Sequence, residues 1–434
     1  MEMKLSEFGR KLACGSGIGE LMDDLGAAIA DQGDGKEVCF LGGGQPSHIP
    51  ELDAIWQQRL QEICDDQGGW QHMLGNYEPP AGNHDFRSSI ASLFQREFGW
   101  DLTAKNVGVT IGAQTAFFFL LNSLAGRDAD GNARKILLPI IPEYIGYANQ
   151  SVGEEFFVAC RPQIEKSGDH EFKYRVDFDN LRINDDIAAI CVSRPTNPTG
   201  NVLTDDEIHR LSTIARQHDI PLIIDNAYGA PFPGVIFTDA TPVWDDGIIL
   251  TLSLSKIGLP GTRTGIVVAN EEVIRAISSM TSIVGLANCN AGQAIAKPLI
   301  ESGEILRLSR EVARPYYEEK SIRTQQIARE VFDDRLPYRI HRSEGAFFLW
   351  LWFEGLPITS KELYRRLKER SVFVIPGNYF FFGDDGSSDD GSSESDSQWQ
   401  HRDECIRVSF TMPEATVRRG FEVIAEEVAK AYDG

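Results

Sequence analysis

The stretch TLSLSKIGLPGTRTG, Thr251 to Gly265, directly follows the apolar run Ile248 to Leu250. An apolar run that ends in Ser-x-Ser-Lys predicts a buried strand that delivers Lys256 to a polar site. A desolvated lysine loses its proton more readily and can then attack a carbonyl carbon to form a Schiff base. Arg263 and the serine hydroxyls could hold an anion such as a phosphate beside it. Taken alone, the stretch also fits an ordinary surface loop after a strand, so the rest of the chain decides.

Bulk composition limits the classes of protein to which the chain can belong. It has 434 residues, of which 42% are hydrophobic and 24% charged, and its net charge is −22. These values are ordinary for a two-domain folded protein, and the acidic excess argues against nucleic acid or an anionic membrane as partner. The N-terminus lacks the apolar core of a signal peptide, and no apolar run is long enough to span a membrane.

Cysteine and histidine spacing indicates the compartment and argues against a metal site. The seven cysteines are scattered and include no C-x-x-C pair, which predicts reduced thiols in a cytoplasmic protein. The histidines show no H-E-x-x-H spacing, and no G-x-x-x-x-G-K-[ST] loop is present. We therefore expect no metal in the site and no nucleotide-triphosphatase activity.

From about residue 105 the chain alternates between strand-like apolar runs and helices. Gly112 to Thr115 is a small-residue turn that opens an apolar helix, and Thr204 begins a capping box that starts a helix running to about His218. The alternation predicts a mostly parallel sheet covered on both faces, with ligands at the carboxyl ends of its strands. The strand candidates are Val107 to Ile111, Lys135 to Ile140, Glu155 to Cys160, Ile187 to Ser193, Pro221 to Asp225, Gly247 to Leu252 and Gly265 to Ala269.

After about residue 300 the pattern changes to that of a smaller α+β domain. One long helix is predicted first, and strands and helices follow it: a helix at 304–332, a strand at 346–352, a helix at 360–370, strands at 372–375 and 405–410, and a helix at 413–432. Residues 383–398 contain no apolar side chain, so we expect a disordered acidic loop. The expected division is an N-terminal arm with part of the small domain (1–60), a large domain (61–305) and a small C-terminal domain (306–434).

Polar residues at strand ends accompany the lysine stretch. Asn197 opens N-P-T-G after one strand, and its amide can donate to a phenolate oxygen, although N-P-x-G is also a generic turn. Asp225 ends the apolar strand PLIID and is either a structural carboxylate or the counter-ion of a buried cation. Tyr144 could lie over a flat ligand or belong to the core. Arg407 stands among apolar neighbours and is either paired internally or available to a ligand carboxylate.

Together these residues indicate pyridoxal phosphate as the cofactor. It needs a lysine for its aldehyde, a carboxylate for its pyridine nitrogen, donors to its phenolate oxygen, an aromatic side chain over its ring and a seat for its phosphate. The turn at Gly112 to Thr115 offers such a seat, because free backbone N–H groups and the helix dipole favour an anion there. No single motif is specific, but the ordered set N-P-x-G, D-x-x-Y and S-x-S-K-x6-R is.

The chain resembles the fold-type I pyridoxal-phosphate enzymes of the aspartate aminotransferase superfamily. Within it, the chain is particularly similar to the bacterial valine–pyruvate aminotransferases over nearly its whole length. The segments that carry the resemblance are LGGGQPSHIPE, PEYIGYA, ICVSRPTNPTGNV, IDNAYGAPFPG, LSLSKIGLPG and EGAFFLWLWF. The resemblance implies an α/β fold, in which a large domain has a mostly parallel seven-stranded sheet covered by helices, and a smaller α+β domain.

The resemblance also implies roles for individual residues. Lys256 would form the Schiff base and carry the proton between the substrate Cα and C4′ of the cofactor. Asp225 would pair with the pyridine nitrogen, Asn197 and Tyr228 would contact the phenolate oxygen, and Tyr144 would stack on the ring.

The remaining implied roles concern the phosphate, the substrate and the second subunit. Tyr77 would reach the phosphate of the neighbouring subunit, so a homodimer with shared active sites is expected. Gly44 and Arg407 would bind the substrate α-carboxylate. The residues implied at the phosphate of the same subunit are Ala113, Gln114, Ser253 and Arg263, with Ser255 nearby.

These inferences predict an aminotransferase that works on small amino and oxo acids in a ping-pong cycle. The expected reaction moves the amino group of valine, or a similar apolar amino acid, to pyruvate, giving 3-methyl-2-oxobutanoate and alanine. A lyase, a synthase or a transaminase of other specificity on the same site remains an alternative, because local motifs do not separate these reactions. A DNA-binding regulator is disfavoured, because the arm before Gly42 is short and not basic.

Overall fold

The computed structural model describes residues 4–13, 17–33, 37–384 and 399–434. The stretch 385–398 of the expected acidic loop therefore lies outside the described residues. The helices of the described part are α1 Glu7–Ala13, α2 Gly17–Gly33, α3 Pro50–Asp65, α4 Gly69–Gly75, α5 His84–Phe98, α6 Ala113–Leu124, α7 Asp205–Gln217, α8 Glu271–Val284, α9 Ala291–Ser302, α10 Glu304–Leu308, α11 Arg314–Phe332, α12 Ser360–Glu369 and α13 Glu414–Asp433. None of the described helices is long and apolar enough to cross a membrane.

The strands fall into two larger sheets and one two-stranded pair. They are β1 Cys39–Phe40, β2 Val107–Ile111, β3 Gly126–Arg127, β4 Ala133–Leu138, β5 Phe157–Ala159, β6 Gln163–Ser167, β7 Glu171–Arg175, β8 Ile187–Ser193, β9 Leu222–Asp225, β10 Ile248–Ser253, β11 Thr264–Val268, β12 Tyr338–His341, β13 Phe348–Phe353, β14 Val372–Phe373, β15 Ile375–Pro376 and β16 Cys405–Ser409. The seven strands predicted between residues 105 and 270 are all observed, within two residues at each end.

The large sheet confirms the predicted α/β architecture. Its seven main strands run in the order β2, β11, β10, β9, β8, β4, β5, and the two-residue β3 adds to the outer edge of β4. Among the seven main strands β11 alone runs against its neighbours, and the short β3 is antiparallel to β4, so the sheet is mostly parallel. Strands β8, β9 and β10 are buried along their whole length, as expected when helices cover both faces. Their register places Ser193, Asp225 and Thr251 side by side near the carboxyl edge.

The second sheet has the order β15, β16, β13, β12, β7, β6 and differs from the prediction in one respect. Its β6–β7 hairpin comes from residues 163–175, inside the expected large domain, and β7 pairs in parallel with β12. Local pattern did not reveal this hairpin, because β6, with the sequence QIEKS, is mostly exposed and charged. Strand pairing between distant segments is decided by tertiary contacts.

Two predicted elements are divided in the structure. The helix predicted over 304–332 contains a π-helical turn, Ser309–Ala313, and Pro315 follows it at the start of α11. Proline has no N–H to donate, so a widened turn before it keeps the helix path continuous. The strand predicted over 372–375 forms β14, which pairs with β1, and β15, which pairs with β16.

The glycine segment Leu41 to Gly44 connects the small-domain sheet to the edge of the large one. The Leu41 N–H donates to the Phe373 carbonyl (2.8 Å), and the Leu41 carbonyl accepts from the Ser409 N–H (2.6 Å). The segment therefore runs beside β16, and the carbonyl oxygen of Gly44 reaches Lys256 at the end of β10. It closes one side of the region where the predicted site residues meet.

Candidate active site

Lys256 lies on a short 3₁₀ turn, Leu254–Ile257, that follows the buried strand β10. Its Nζ donates to the carbonyl oxygen of Gly44 (2.7 Å) and lies 5.0 Å from the centre of the Tyr228 ring. Burial lowers the pKa of the lysine to about 8; the positive charges of Arg407 and Arg263 add to this, and Asp225 opposes it. The neutral fraction near physiological pH is therefore much larger than that of an ordinary lysine, as a nucleophilic amine requires.

Asp225 ends β9, and three donors hold its buried carboxylate. Oδ2 accepts from the Tyr147 hydroxyl (2.5 Å), and Oδ1 accepts from the Ala227 N–H (2.8 Å) and the Thr251 hydroxyl (3.3 Å). Burial raises the pKa of Asp225, whereas these hydrogen bonds and the charge of Lys256 oppose that rise. The carboxylate is thus fixed in orientation and can accept a hydrogen bond from a protonated ring nitrogen.

Tyr144 and Tyr228 are two phenols on which the charge of Asp225 acts. The Tyr144 ring meets the Tyr147 ring edge-on, with centroids 5.2 Å apart, and a Cβ on Gly146 would fall only 2.3 Å from Tyr144 Cε1. The lack of a side chain at Gly146 therefore leaves the space that the Tyr144 ring occupies. Burial raises the pKa of Tyr144 to about 12, with Asp225 contributing, and raises that of Tyr228 well above its ordinary value. Both phenols remain protonated and can donate hydrogen bonds.

Arg263 packs against the N-terminus of α6, where the sequence predicts an anion seat. Gly112 has φ +79°, and a Cβ there would lie 2.3 Å from Arg263 Nη2, so the guanidinium packs directly against this turn. The backbone N–H groups of Ala113 and Gln114 open the helix and have no intrahelical acceptor. The Gln114 side chain is engaged elsewhere, because Nε2 donates to the Gly146 carbonyl (2.8 Å).

Of the two predicted serines, Ser253 precedes the lysine turn and Ser255 lies within it. Ser253 is the last residue of β10, and its hydroxyl oxygen accepts from the Ser255 N–H (3.1 Å). Both serines are buried. The turn is therefore held by a local hydrogen bond, which leaves the Ser253 hydroxyl hydrogen free to donate to an anion.

Arg407 on β16 is a buried cation whose partners carry no charge. It is 2% exposed; Nη1 donates to Asn197 Oδ1 (2.6 Å) and Nη2 to the Gly42 carbonyl (2.5 Å). Its guanidinium carbon lies 4.1 Å from the centre of the Phe348 ring, and its buried Nε has no hydrogen-bond partner. Burial lowers the pKa of Arg407 to about 10, so the group stays charged at neutral pH. A buried charge with spare donors favours an anionic ligand such as a carboxylate.

Gly44 and Tyr77 have contrasting positions. A Cβ on Gly44 would lie 3.5 Å from both Lys256 Nζ and Tyr228 Oη, so Gly44 borders the group described above. Tyr77, which follows α4, is 83% exposed and does not belong to this buried group within one chain.

The sequence reasoning also missed Tyr147 and Thr251, the side-chain partners of Asp225. A tyrosine three residues after Tyr144, in the quoted segment PEYIGYA, was the available signal.

The donor set suits pyridoxal phosphate. Its aldehyde suits the partly buried amine of lowered pKa, and its ring nitrogen suits the carboxylate that three donors hold. Its phosphate suits the helix N-terminus with an arginine against it, and its phenolate suits the protonated phenols. Across the part of the chain that the structure describes, no group of three or more His, Cys, Asp or Glu side chains could hold a metal ion.

Comparison with known proteins gives consistent matches. The family model for aminotransferase class I and II matches residues 41–424. Valine–pyruvate aminotransferase of Escherichia coli K12 is 43% identical over 430 residues, covering 99% of each chain. The crystal structure of valine–pyruvate aminotransferase from Salmonella typhimurium LT2 superimposes with a TM-score of 0.84 at 42% identity, covering 94% of this chain and 99% of that one.

A more distant structure bears on the fold alone. Aspartate aminotransferase from Thermus thermophilus, solved with maleate, superimposes with a TM-score of 0.75 at 19% identity, covering 98% of this chain and 100% of that one. The predicted fold-type I architecture is thereby confirmed.

Proposed function

The chain belongs to the class I and II aminotransferase family, and we propose that it moves the amino group of valine, or a similar apolar amino acid, to pyruvate. It is a pyridoxal-phosphate-dependent transaminase. The products of the proposed reaction are 3-methyl-2-oxobutanoate and alanine. The observation that carries the choice of substrates is the full-length similarity to a relative named for valine and pyruvate. The amino acid would react and leave as an oxo acid before pyruvate enters, in two half-reactions.

The residues around Lys256 would hold the cofactor. When bound, pyridoxal phosphate supplies an electron sink that stabilises negative charge at the substrate Cα. Asp225, fixed by Tyr147, Ala227 and Thr251, would keep the proton on the ring nitrogen. Tyr144 would cover the ring face, and Asn197 and Tyr228 would meet the phenolate oxygen. The phosphate would lie at the start of α6, with Ala113, Gln114, Ser253, Ser255 and Arg263 as its contacts.

Lys256 and Arg407 would carry out the work on the substrate. The lowered pKa of Lys256 makes its amine a base near neutral pH, able to take a proton from Cα and return it. Arg407 would bind the α-carboxylate, beside Gly44, because it is the buried cation with uncharged partners. Phe348 and Phe380 line the guanidinium with apolar surface, which suits an amino acid without a second charge.

A second copy of the chain would complete the site. Exposed apolar side chains lie on α4 and just after it, and at the end of α8 and just after it. Between α8 and α9, Asn290 Nδ2 donates to the carbonyl of Asn76, which follows α4 (2.8 Å). The exposed side chains of this surface are Trp70, Leu74, Tyr77, Ile283, Val284 and Leu286. Covering them in a homodimer would remove apolar area from water, and it would bring Tyr77 to the phosphate of the partner.

A panel of amino acids assayed with pyruvate tests the proposed reaction. We expect alanine to form with valine and other apolar amino acids, and no alanine to form with Lys256→Ala. Ammonia is measured in the same reactions, since its release without alanine would identify a lyase. Activity with aspartate but not with valine would overturn the proposed specificity and leave the aminotransferase class intact.

A further inference from the structure

Glu143 is a buried acid next to the candidate site and has no part in the chemistry described above. Its side chain is fully buried, at 0% exposure. Oε1 accepts from the Ser193 N–H (2.8 Å), and Oε2 accepts from the Ser193 hydroxyl (2.7 Å) and the Tyr144 N–H (3.0 Å). None of these three donors is charged. A buried carboxyl group with only neutral donors is costly to retain, which calls for a reason beyond packing.

Glu143 is linked to three parts of the site. Its carboxyl group holds the backbone of Tyr144, whose ring lies beside the Asp225 group. It also holds Ser193, the register partner of Asp225 on the neighbouring strand. Its own N–H donates to the Phe380 carbonyl (3.0 Å), and the Phe380 ring lies 5.4 Å from the guanidinium of Arg407. One residue thus connects the ring-covering tyrosine, the carboxylate strand and the substrate-binding arginine.

Glu143 and Asp225 share one buried environment. Burial raises the pKa of Glu143 to about 7; the negative charge of Asp225 adds to this, and the hydrogen bonds from Ser193 and Tyr144 oppose it. The Tyr147 hydroxyl and the Cys191 thiol face the same two carboxyl groups, which contribute to raising the pKa of each. The positive charge of Lys256 acts on Asp225 and opposes the rise of its pKa.

We propose that Glu143 is a positioning residue, which orients Tyr144 and Ser193 and places a second negative charge near Asp225. This inference rests on the proposed function, because it requires a pyridoxal-phosphate ring against Asp225. With Glu143 ionised, a protonated cofactor ring is favoured over a neutral one; with Glu143 neutral, Asp225 acts alone. The protonation of the bound cofactor is therefore linked to Glu143 through electrostatics, without direct contact.

The test is a pH titration of the absorbance of the bound cofactor in the holoenzyme. Glu143→Gln keeps the size of the side chain and removes its charge. We expect the midpoint of the absorbance change to move to lower pH by about half a unit or more, because a nearby negative charge that favours the protonated form is lost. Ser193→Ala keeps the carboxyl group but removes one donor to its ionised form, so its midpoint should move in the same direction by less.

Glu404→Gln serves as the matched control. Glu404 is also a buried carboxyl group, but it accepts from Trp352 Nε1 (2.7 Å) and the Gly355 N–H (2.9 Å), outside the site. Its substitution should lower the thermal midpoint without moving the absorbance midpoint. If Glu143→Gln changes stability alone, the proposal is overturned; if that variant does not fold, an unmoved midpoint in Ser193→Ala overturns it. A wild-type protein without cofactor absorbance would overturn the proposed function as well, so the two failures are distinguishable.

Discussion

Replacing Lys256 by methionine should stabilise the cofactor-free protein. Burial and two nearby arginines lower the pKa of this lysine from 10.5 to about 8, which corresponds to about 3 kcal/mol against the charged amine in the folded state. Partial exposure of the side chain reduces that figure, and loss of the hydrogen bond to Gly44 removes about 1 kcal/mol. We expect a net gain of about 1–2 kcal/mol for Lys256→Met at pH 6–7.

The gain should depend on pH with a defined sign. Well below pH 8 the lysine is charged in both the folded and the unfolded chain, so the full free-energy cost of burying the charged amine is present. Between pH 8 and 10.5 the folded protein holds a neutral amine while the unfolded chain still binds the proton, and the cost fades. The free energy of unfolding of wild type should therefore approach that of Lys256→Met as the pH rises through this window. Urea unfolding of both proteins after cofactor removal, at several pH values from 6 to 10, measures the difference.

Lys173 offers a matched control, because it is also buried and its pKa is also lowered by burial. Unlike Lys256, it has an anionic partner: Nζ forms an ion pair with Glu344 and donates to Asn201 Oδ1 (3.0 Å). Lys173→Met would leave Glu344 buried without its partner and should destabilise the protein by about 3 kcal/mol. A Lys256→Met protein that is less stable than wild type at pH 6–7, or a difference that does not change with pH, would refute the reasoning.

Two further predictions concern the proposed phosphate seat and the proposed dimer. Gly112→Ala should weaken cofactor binding about tenfold or more in an absorbance titration, because its Cβ would displace the Arg263 guanidinium and φ is +79°. Gly108→Ala, whose Cβ would meet only Ile274 at 3.4 Å, should leave that affinity unchanged; equal affinities for the two variants would contradict the assignment of the seat. Leu74→Glu should shift sedimentation toward the monomer, whereas Ile322→Glu, at an exposed site on α11, should not; an unchanged dimer would exclude the proposed interface.

Much of the large sheet could be predicted because its signals are local. Strands such as β8 and β9 are continuous runs of apolar residues buried on both faces, and such runs are visible in the sequence. Asp225 is the last residue of such a strand, and Lys256 and Asn197 each follow one. Parallel strands bring their carboxyl ends to one edge, so their convergence could be expected before any coordinates.

The hairpin β6–β7 and the environment of Glu143 could not be predicted in the same way. In this hairpin β6 is mostly exposed, and the place of β7 in the second sheet depends on pairing with β12, more than 160 residues later. The importance of Glu143 depends on Ser193, which is 50 residues away in the chain, and on burial that no local pattern encodes. Tyr147 was within a quoted segment, but its hydroxyl acquires a role only through Asp225, 78 residues away.

The stretch from Thr251 to Gly265 shows both sides of this division. Its own residues determined a buried strand followed by a lysine and an arginine, because hydrophobic burial and turn formation act over a few residues. The lowered pKa of Lys256 was decided by tertiary structure, which brings Arg407, Arg263 and Asp225 around it. Electrostatic shifts depend on distance in space and on desolvation, and neither follows from order along the chain.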